Sequence, residues 1–318
     1  MTIETTNQLA LHQARQDQLV NSHSYTDSFL SLLDKVKDYE YCDCPTCGYK
    51  ADDPIFTKNH GAYCYCPNCR HIYLSNQLSS DKLLAFYSGY PTNTLEWHRN
   101  ETEFYRRIYL KGLSSIQSIS AGSKILDIGC SSGLFLSVAI DNGFDGFGVE
   151  PNESEAEYAR LNGIKIIGST LTELDRSLVF DVITLWDVLE HIKDPVGYVN
   201  SLKTILRPGG YIFVQVPTSD SLAARILRCN CNMFDGVEHL TLFSKHSLDL
   251  AFTSAGYALV NFQTVISETY AINNFLSYAN DPYLVNSVDP LVESILDPAM
   301  IESEGLGYKI QAIYRKEK

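Results

Sequence analysis

Two pairs of cysteines carry the clearest chemical signal in the chain. The pairs are Cys44-Pro-Thr-Cys47 and Cys66-Pro-Asn-Cys69, and eighteen residues separate them. Each pair can place two thiolates on one metal ion, and two pairs complete the tetrahedron that structural zinc prefers. A separation of roughly 15–20 residues is typical of such sites. The spacing therefore predicts a structural Zn²⁺ ion held by Cys44, Cys47, Cys66 and Cys69.

Two more cysteines accompany these pairs. Cys42 and Cys64 each stand two residues before one of the metal-binding pairs. Because four ligands complete a structural zinc site, we interpret them as additional thiols beside it. A binuclear metal site or a disulfide is the alternative. A closed four-thiolate site has no open position for a substrate, so its predicted role is to stabilise a small module.

A second chemical signal is the turn Asp127-Ile-Gly129-Cys130-Ser-Ser-Gly133. Glycine permits a sharp turn and lets a ligand approach the backbone without a Cβ in the way. The free N–H groups at the start of a following helix would face that ligand. The spacing fails the G-x-G-x-x-G pattern of dinucleotide sites, and the chain has no G-x-x-x-x-G-K-[ST] phosphate loop. Taken alone, the turn is compatible with three interpretations: a dinucleotide site, a site for S-adenosylmethionine (SAM), or an ordinary strand–helix connection.

The elements that must position this turn alternate along the chain from Gly122 onward. Short apolar segments alternate with amphipathic ones, which is typical of a parallel sheet with crossover helices. The segment 181–186 is apolar throughout, as expected of a strand covered on both faces. The other predicted strands are 124–128, 146–150, 164–167, 211–216, 257–265 and 308–315, and helices are predicted at 134–142, from about 153, from Pro195 and at 248–255. We expect an α/β fold on a seven-stranded sheet.

Three further motifs accompany the glycine turn. They are Glu150-Pro151 after the second strand, Asp187-Val-Leu-Glu-His191 after the fourth, and Leu206-Arg-Pro-Gly-Gly210 before the fifth. With these motifs, residues 121–262 resemble the class I SAM-dependent methyltransferases, whose sheet is Rossmann-like. Ser131 stands where the family's first motif has its middle glycine.

The resemblance implies how SAM would be bound. Gly129 and Gly133 would let the methionine part approach the backbone, and Asp127 would order the turn. Glu150 would accept hydrogen bonds from both ribose hydroxyls. The other implied cofactor residues are Cys130 and Pro151 within the motifs, Thr170 and Leu171 beside the adenine, and Asp187 near the sulfonium and the acceptor. Loop capping is the alternative role for Asp127 and Asp187.

Three side chains are candidates for the chemistry of methyl transfer. A general base is needed only where the acceptor loses a proton as it attacks, and histidine suits that task near neutral pH. His191 follows the fourth strand, at the edge where open α/β sheets bind ligands. His239 lies after the fifth strand, in a stretch that often covers the acceptor pocket of the resembled family. Glu190 would orient a neighbour or bind the acceptor. Backbone hydrogen bonding is the alternative for the histidines, and a solvated carboxylate is the alternative for Glu190.

The chain divides into four predicted segments. Residues 1–38 form a helical extension in which Phe29, Leu32, Leu33 and Val36 recur at helical spacing. Residues 39–78 form an N-terminal zinc ribbon, and 79–120 a helical linker or cap. Residues 121–318 form the methyltransferase domain, with insertions at about 217–243 and 266–306.

Composition argues against several classes of function. The formal net charge is −13 over 318 residues, which disfavours the broad basic surface of nucleic-acid-binding proteins. The segment Met1 to Gln18 is polar, so no signal peptide is predicted. The sequence contains no run of about 20 apolar residues, so no membrane span is predicted either. We expect the nine cysteines to lie in a reducing cytoplasm.

The motifs together predict a SAM-dependent methyltransferase that acts on an oxygen or carbon of a small-molecule or sugar-bearing metabolite. A zinc ribbon ahead of such a domain resembles the deoxysugar C-methyltransferases. An RNA methyltransferase with a zinc module and a non-catalytic SAM-binding protein are the alternatives. A nicotinamide oxidoreductase is disfavoured by the failed dinucleotide spacing.

Overall fold

The described residues of the computed structural model form two compact units. They are residues 28, 31, 39–89, 98, 101–119, 122–175, 177–279, 281–283 and 296–317. The unit here called the cysteine unit takes its residues from Met1–Thr92, Pro217–Leu248 and Gln263–Ile310. The parallel-sheet unit takes its residues from Asn93–Val216, Asp249–Phe262 and Gln311–Lys318. The helix predicted around Phe29 and Val36 lies outside the described residues.

Strands and helices follow one another along the described chain. The strands are β1 (Tyr39–Tyr41), β2 (Phe56–Lys58), β3 (Gly61–Tyr65), β4 (Ile72–Leu74), β5 (Asn76–Leu78), β6 (Lys124–Ile128), β7 (Asp145–Val149), β8 (Lys165–Gly168), β9 (Phe180–Trp186), β10 (Leu206–Pro217), β11 (Thr241–Leu242), β12 (Tyr257–Val265) and β13 (Lys309–Lys316). The α-helices are α1 (Ser80–Gly89), α2 (Thr102–Gln117), α3 (Leu134–Asp141), α4 (Glu153–Leu161), α5 (Pro195–Ser201), α6 (Leu222–Leu227), α7 (Lys245–Ser254), α8 (Thr269–Leu276) and α9 (Pro298–Ser303).

Seven strands form one sheet in the order β12-β13-β10-β9-β6-β7-β8. Strand β6 pairs in parallel with β7 and with β9, and β10 and β8 extend the parallel part on either side. The carboxyl ends of these parallel strands therefore meet at one edge of the sheet, where ligands bind in such folds. The predicted α/β class with a Rossmann-like sheet of seven strands is confirmed.

Local sequence signals fix the helices that connect these strands. Asn152 caps the start of helix α4, because its Oδ1 accepts the N–H of Ser154 at 3.0 Å. Helix α5 begins after Asp194, whose Oδ1 accepts the N–H of Gly197 at 2.9 Å, and Pro195 is its first residue. Proline fits there because the first N–H of a helix has no partner within the helix. The start of α5 predicted from Asp194-Pro195 is present.

The centre of the sheet supplies the core of the parallel-sheet unit. Val182, Ile183 and Leu185 of β9 are fully buried, as are Ile125 and Leu126 of β6. Burial of such side chains contributes about 1.5–3 kcal/mol each relative to exposure. The central strands are therefore rigid supports for the loops at their carboxyl ends.

One strand differs from its predicted extent. The turn expected at Arg207–Gly210 lies inside β10, which pairs with β9 at Leu206 and again from Tyr211. The register shifts between these two residues, so the Pro-Gly-Gly sequence forms an irregular bulge. Gly209 has φ +70° there, a conformation that glycine adopts without strain.

The cysteine unit contains a small antiparallel sheet in the order β11-β4-β3-β2. A buried apolar cluster accompanies it, which includes Tyr63 of β3, Leu74 of β4, Phe86 of α1 and Phe234. The rings of Tyr63 and Phe234 meet edge to face at 5.2 Å. Residues within the segments predicted as insertions, 217–243 and 266–306, belong to this unit. The four-segment division itself stays a prediction.

None of the helices in the described residues is long and apolar enough to cross a membrane.

Candidate functional site

The turn between β6 and α3 is held in an unusual backbone conformation. Gly129, Ser131 and Gly133 have φ values of +71°, +49° and +77°. A Cβ at Gly133 would lie only 2.6 Å from Ile164 Cγ1, so the position has no space for a side chain. Ser131 adopts the left-handed conformation at a cost of about 1–2 kcal/mol, which explains why the resembled family has glycine there. The turn thus packs closely against neighbouring residues, and glycine is required at Gly133 both by φ and by the lack of space.

Glu150 holds this turn in place. Its Oε2 accepts the N–H of Ser131 at 2.7 Å, and its Oε1 accepts the N–H of Asn152 at 2.8 Å. The side chain is buried, and burial raises the pKa of its carboxyl to about 7 in spite of these two hydrogen bonds. Each oxygen keeps a second lone pair, so the carboxylate can still accept the two hydroxyls of a ribose.

Asp127 is connected to the neighbouring strand. Its Oδ1 accepts the hydroxyl of Thr184 in β9 at 2.7 Å. Burial, together with repulsion from Glu150, raises the pKa of Asp127 to about 8, although the Thr184 hydroxyl acts in the opposite direction. The carboxylate that accepts an N–H group of the turn is Glu150, so the turn-ordering role of Asp127 stays a prediction.

The other predicted cofactor residues lie around this turn or after β7 and β8. Cys130 is buried, and burial raises the pKa of its thiol, which agrees with a packed residue rather than a nucleophile. Pro151 and Thr170 are exposed, and Leu171 is half-buried in a short 3₁₀ turn. Asp187 follows β9 directly, with φ +54°. Their contacts with a cofactor stay predictions.

Glu190 and His191 end a 3₁₀ turn that begins at Leu189. The N–H of His191 donates to the carbonyl of Val188 at 3.1 Å. Glu190 is buried to 1% exposure, whereas His191 is partly exposed. Burial of Glu190 disfavours the alternative of a solvated surface carboxylate. A catalytic role for either residue stays a prediction.

His239, in the cysteine unit, belongs to a tight loop built around Asp235. Asp235 Oδ1 accepts the N–H groups of Val237 and Glu238 at 2.6 and 2.7 Å. Its Oδ2 lies 2.8 Å from Nδ1 of His239, and the carbonyl of Met233 lies 2.9 Å from the same nitrogen. Both contacts require a proton on Nδ1, so Nε2 is the nitrogen on which a neutral His239 would accept a proton.

His98 is a residue that sequence reasoning missed. In the parallel-sheet unit, its Nδ1 lies 2.7 Å from the hydroxyl of Ser132, within the glycine turn, and its Nε2 lies 3.2 Å from the hydroxyl of Tyr109. Burial lowers the pKa of His98 to about 4, so the ring is neutral near pH 7. No sequence pattern joins His98 to a turn more than thirty residues away, because only the packing of the fold brings them together.

The four predicted metal ligands form one cluster in the cysteine unit. Their sulfur atoms lie within 4.8 Å of one another, with Cys44 and Cys69 at 3.4 Å and Cys47 and Cys66 at 3.4 Å. A tetrahedron with Zn–S bonds of about 2.3 Å has edges of about 3.8 Å, so the cluster fits zinc. All nine cysteines are described and none of them is in a disulfide, so the alternative disulfide between Cys42 and Cys64 is absent.

The two cysteine pairs have the same local geometry. Gly48 and Arg70 follow the second cysteine of each pair with φ values of +72° and +60°. Their N–H groups donate to the carbonyls of Cys44 and Cys66 at 2.8 Å. This repeated turn aims both thiols of a pair in one direction.

A buried histidine connects the two turns. His71 Nδ1 lies 2.8 Å from the hydroxyl of Thr46, so a residue after the second pair contacts a residue inside the first. The imidazole of His71 is fully buried and packs edge to face on Phe243 at 4.9 Å. His71 therefore helps to hold the two halves of the cysteine cluster together.

Comparison with known proteins gives a family match over more than half of the chain. The family described as "Methyltransferase domain" matches residues 97–261. This stretch contains the glycine turn, Glu150, Asp187 and His191.

Curated relatives match a shorter stretch. A ubiquinone biosynthesis O-methyltransferase of Vibrio parahaemolyticus is 29% identical over 101 residues, which cover 29% of this chain and 43% of the relative. One from Stutzerimonas stutzeri is 31% identical over 101 residues, which cover 29% of this chain and 44% of the relative. The chain thus spans less than half the length of these curated relatives.

Among solved structures, the plantazolicin methyltransferase BpumL in complex with SAH is similar in fold. The TM-score is 0.50 at 16% identity, and the match covers 74% of this chain and 94% of that chain. At this identity the likeness concerns the fold alone.

Proposed function

The chain belongs to the family of SAM-dependent methyltransferases, and we propose that it transfers the methyl group of SAM to a hydroxyl oxygen of a small organic molecule. The observation that carries the choice of oxygen is the similarity to curated O-methyltransferases. When bound, SAM supplies a methyl group on a positively charged sulfur, a good leaving group. The residues of the chain must then bind SAM and the acceptor, orient them, and accept the proton that the hydroxyl loses.

We assign cofactor binding to the glycine turn and its neighbours. Gly129 and Gly133 give the turn its left-handed backbone, which would lie against the methionine part of SAM, and Glu150, already aligned by two backbone N–H groups, would accept the ribose hydroxyls. Asp187 would place a negative charge at the carboxyl end of β9. Much of the rate enhancement would come from this positioning, because two reactants that are bound in the correct geometry react in an effectively unimolecular step.

A hydroxyl acceptor loses its proton as it attacks, so we propose a histidine as the general base. His239 is oriented for this by Asp235 and by the carbonyl of Met233, which leave Nε2 as the accepting nitrogen. His191, in the parallel-sheet unit, is the second candidate. We expect alanine at the true base to lower kcat by about 10²–10⁴-fold while the Kd for SAM stays within twofold.

We propose that the cysteine cluster holds a structural Zn²⁺ ion. Four thiolates would fill every position of the metal, so it would support the fold of the cysteine unit without touching the acceptor. The sulfur distances and the repeated turns at Gly48 and Arg70 support this role.

The proposed function is tested in two steps. Calorimetry measures binding of SAM, of its demethylated product S-adenosylhomocysteine (SAH) and of NADH, and we expect the first two alone to bind. Methyl-labelled SAM is then offered with phenols, sugar nucleotides and RNA. Label on a phenolic oxygen supports the proposal, and label on a sugar carbon or on RNA replaces it with the corresponding alternative. Binding of SAM with no transfer to any acceptor, including a metabolite extract, would indicate a non-catalytic SAM-binding protein.

A further inference from the structure

Two buried glutamines lie behind Asp187 on neighbouring strands of the large sheet. Gln215 of β10 is 3% exposed and Gln311 of β13 is 1% exposed. Their strand neighbours Val214, Val216 and Ala312 are fully buried and apolar. A primary amide in such surroundings costs stability unless each of its polar atoms finds a partner. A methionine of similar volume would pack there without that requirement.

The two amides form a directed chain of hydrogen bonds that ends on the Asp187 carboxylate. Gln311 Nε2 donates to Gln215 Oε1 at 2.9 Å, and Gln215 Nε2 donates to Asp187 Oδ2 at 3.0 Å. The backbone N–H of Asp187 also donates to the carbonyl of Gln215 at 2.9 Å. Gln215 therefore holds both the main chain and the side chain of Asp187, and Gln311 fixes which way the Gln215 amide faces.

The conformation of Asp187 explains why such support is needed. Its φ of +54° is a left-handed conformation, which aspartate tolerates better than most residues but which is still disfavoured relative to glycine. The residue lies at the carboxyl end of β9, next in the sheet to β6, which leads into the glycine turn. The two hydrogen bonds between Asp187 and Gln215 hold this residue in one orientation at the edge.

The chemistry of the donors is informative. An arginine or lysine in place of Gln215 would neutralise the Asp187 carboxylate as it oriented it. An amide is uncharged, so it orients the carboxylate and leaves its negative charge in place. In a partly buried site, a charge of that kind distinguishes a cationic ligand from a neutral ligand of the same shape.

We propose that Gln215 and Gln311 are positioning residues that aim the Asp187 carboxylate at the sulfonium, so that the site favours cationic SAM over neutral SAH. The inference rests on the proposed function, because it requires SAM to bind at the glycine turn. The proposal also gives a reason for product release. The Asp187 carboxylate attracts the positively charged sulfur of SAM, and this attraction is lost once transfer of the methyl group leaves the neutral sulfur of SAH.

The test is the ratio of Kd values for SAH and SAM, measured by calorimetry for the full chain and its variants. Asp187→Asn removes the charge and should lower the preference for SAM by about tenfold. Gln215→Met keeps the side-chain volume and deletes the hydrogen bond to Asp187, so it should lower the preference for SAM by about fivefold. Gln311→Met acts through Gln215 and should have a smaller effect. In the double variant, Gln311→Met should add nothing to Gln215→Met, because the first link is then already broken.

Gln77→Met is the matched control. Gln77 is an equally buried glutamine whose Nε2 donates to the carbonyl of Leu74 at 3.0 Å, in the cysteine unit. Gln77→Met should leave the ratio of the Kd values for SAH and SAM unchanged. If Gln215→Met does not fold, Gln311→Met decides the question, because it frees the Gln215 amide to turn away from Asp187: a lowered ratio supports the proposal and an unchanged ratio overturns it.

Equal losses of SAM and SAH affinity in the glutamine variants would mean a purely structural role and would overturn the proposal. An unchanged ratio in every glutamine variant would overturn it as well. If the unsubstituted protein binds neither ligand, the proposed function itself has failed, and the two failures are thereby distinguished.

Discussion

At the scale of single residues, two buried carboxyl groups accompany the glycine turn. Glu150 and Asp127 lie within the same buried region of the parallel-sheet unit, with pKa values raised to about 7 and about 8 by burial. Both groups titrate in the range in which enzymes are commonly assayed. Cofactor binding should therefore depend on pH through their protonation states.

We predict that SAM binds more tightly as the pH rises through 7. The ionised Glu150 is the better acceptor for ribose hydroxyls, and a cationic ligand favours the ionised form. Glu150→Gln should weaken binding by about 10-fold or more and should flatten its pH dependence between pH 6 and 8, because the amide does not titrate there and cannot accept from both Ser131 and Asn152. Calorimetric Kd values across that range provide the check, and an unchanged slope in the variant would assign the titration to Asp127.

A second prediction concerns the strained turn residue Ser131. Ser131→Gly should raise the free energy of unfolding by about 0.5–1 kcal/mol, because glycine adopts φ +49° without a steric penalty. Ser137→Gly is the matched control inside α3, where glycine should lower stability by about 0.5–1 kcal/mol. Denaturant unfolding of the two variants should give opposite signs, and destabilisation by both would contradict the prediction.

At the scale of elements, the glycine turn is held by a contact from outside its own strand and helix. His98 precedes α2 and contacts Ser132 in the turn after β6. Its neutral ring is required because burial disfavours the charged form. Protonation of His98 therefore opposes the native packing of the turn.

This contact predicts a loss of stability at acid pH. The pKa of His98 is about 4 in the folded chain and about 6.5 when unfolded, so the unfolded state takes up the proton first. The contribution of the neutral His98 ring to the free energy of unfolding is complete above pH 6.5 and is lost as the pH falls towards 4. The loss amounts to about 2–3 kcal/mol. His98→Gln should lose less stability across this window than the unsubstituted protein. Thermal unfolding at pH 7 and pH 4.5 measures the difference, and His246→Gln at an exposed position is the control. Parallel curves for His98→Gln and the unsubstituted protein would contradict the assignment.

At the scale of the whole molecule, the chain combines two ways of stabilising a fold. The parallel-sheet unit buries the apolar strands β6 and β9 at its centre. The cysteine unit has its own apolar cluster, but its strands β1 to β5 have only three to five residues each. Such short strands gain little from pairing alone. We therefore expect the metal to contribute a large part of the stability of this unit.

We predict one zinc ion per chain, measured by elemental analysis of the purified protein. A strong chelator should lower the melting temperature of the cysteine unit, because metal binding is coupled to its folding. Cys69→Ser should reduce the metal content, whereas Cys229→Ser, which lies outside the cluster, should leave it at one. Two zinc ions per chain would support the binuclear alternative with Cys42 and Cys64, and a metal-free protein of undiminished stability would contradict the site.

The sequence by itself determined the α/β class, the strands of the large sheet and the cysteine cluster. These features depend on local periodicity, on capping residues such as Asp194 and on ligand spacings that are short along the chain. The tertiary structure decided what packs behind each motif. His98 contacts Ser132, and Gln311 reaches Asp187 through Gln215, across 34 and more than 100 residues of sequence. Because hydrogen bonds between distant strands and loops leave no periodic signal, only the folded arrangement reveals which buried polar groups position the reactive ones.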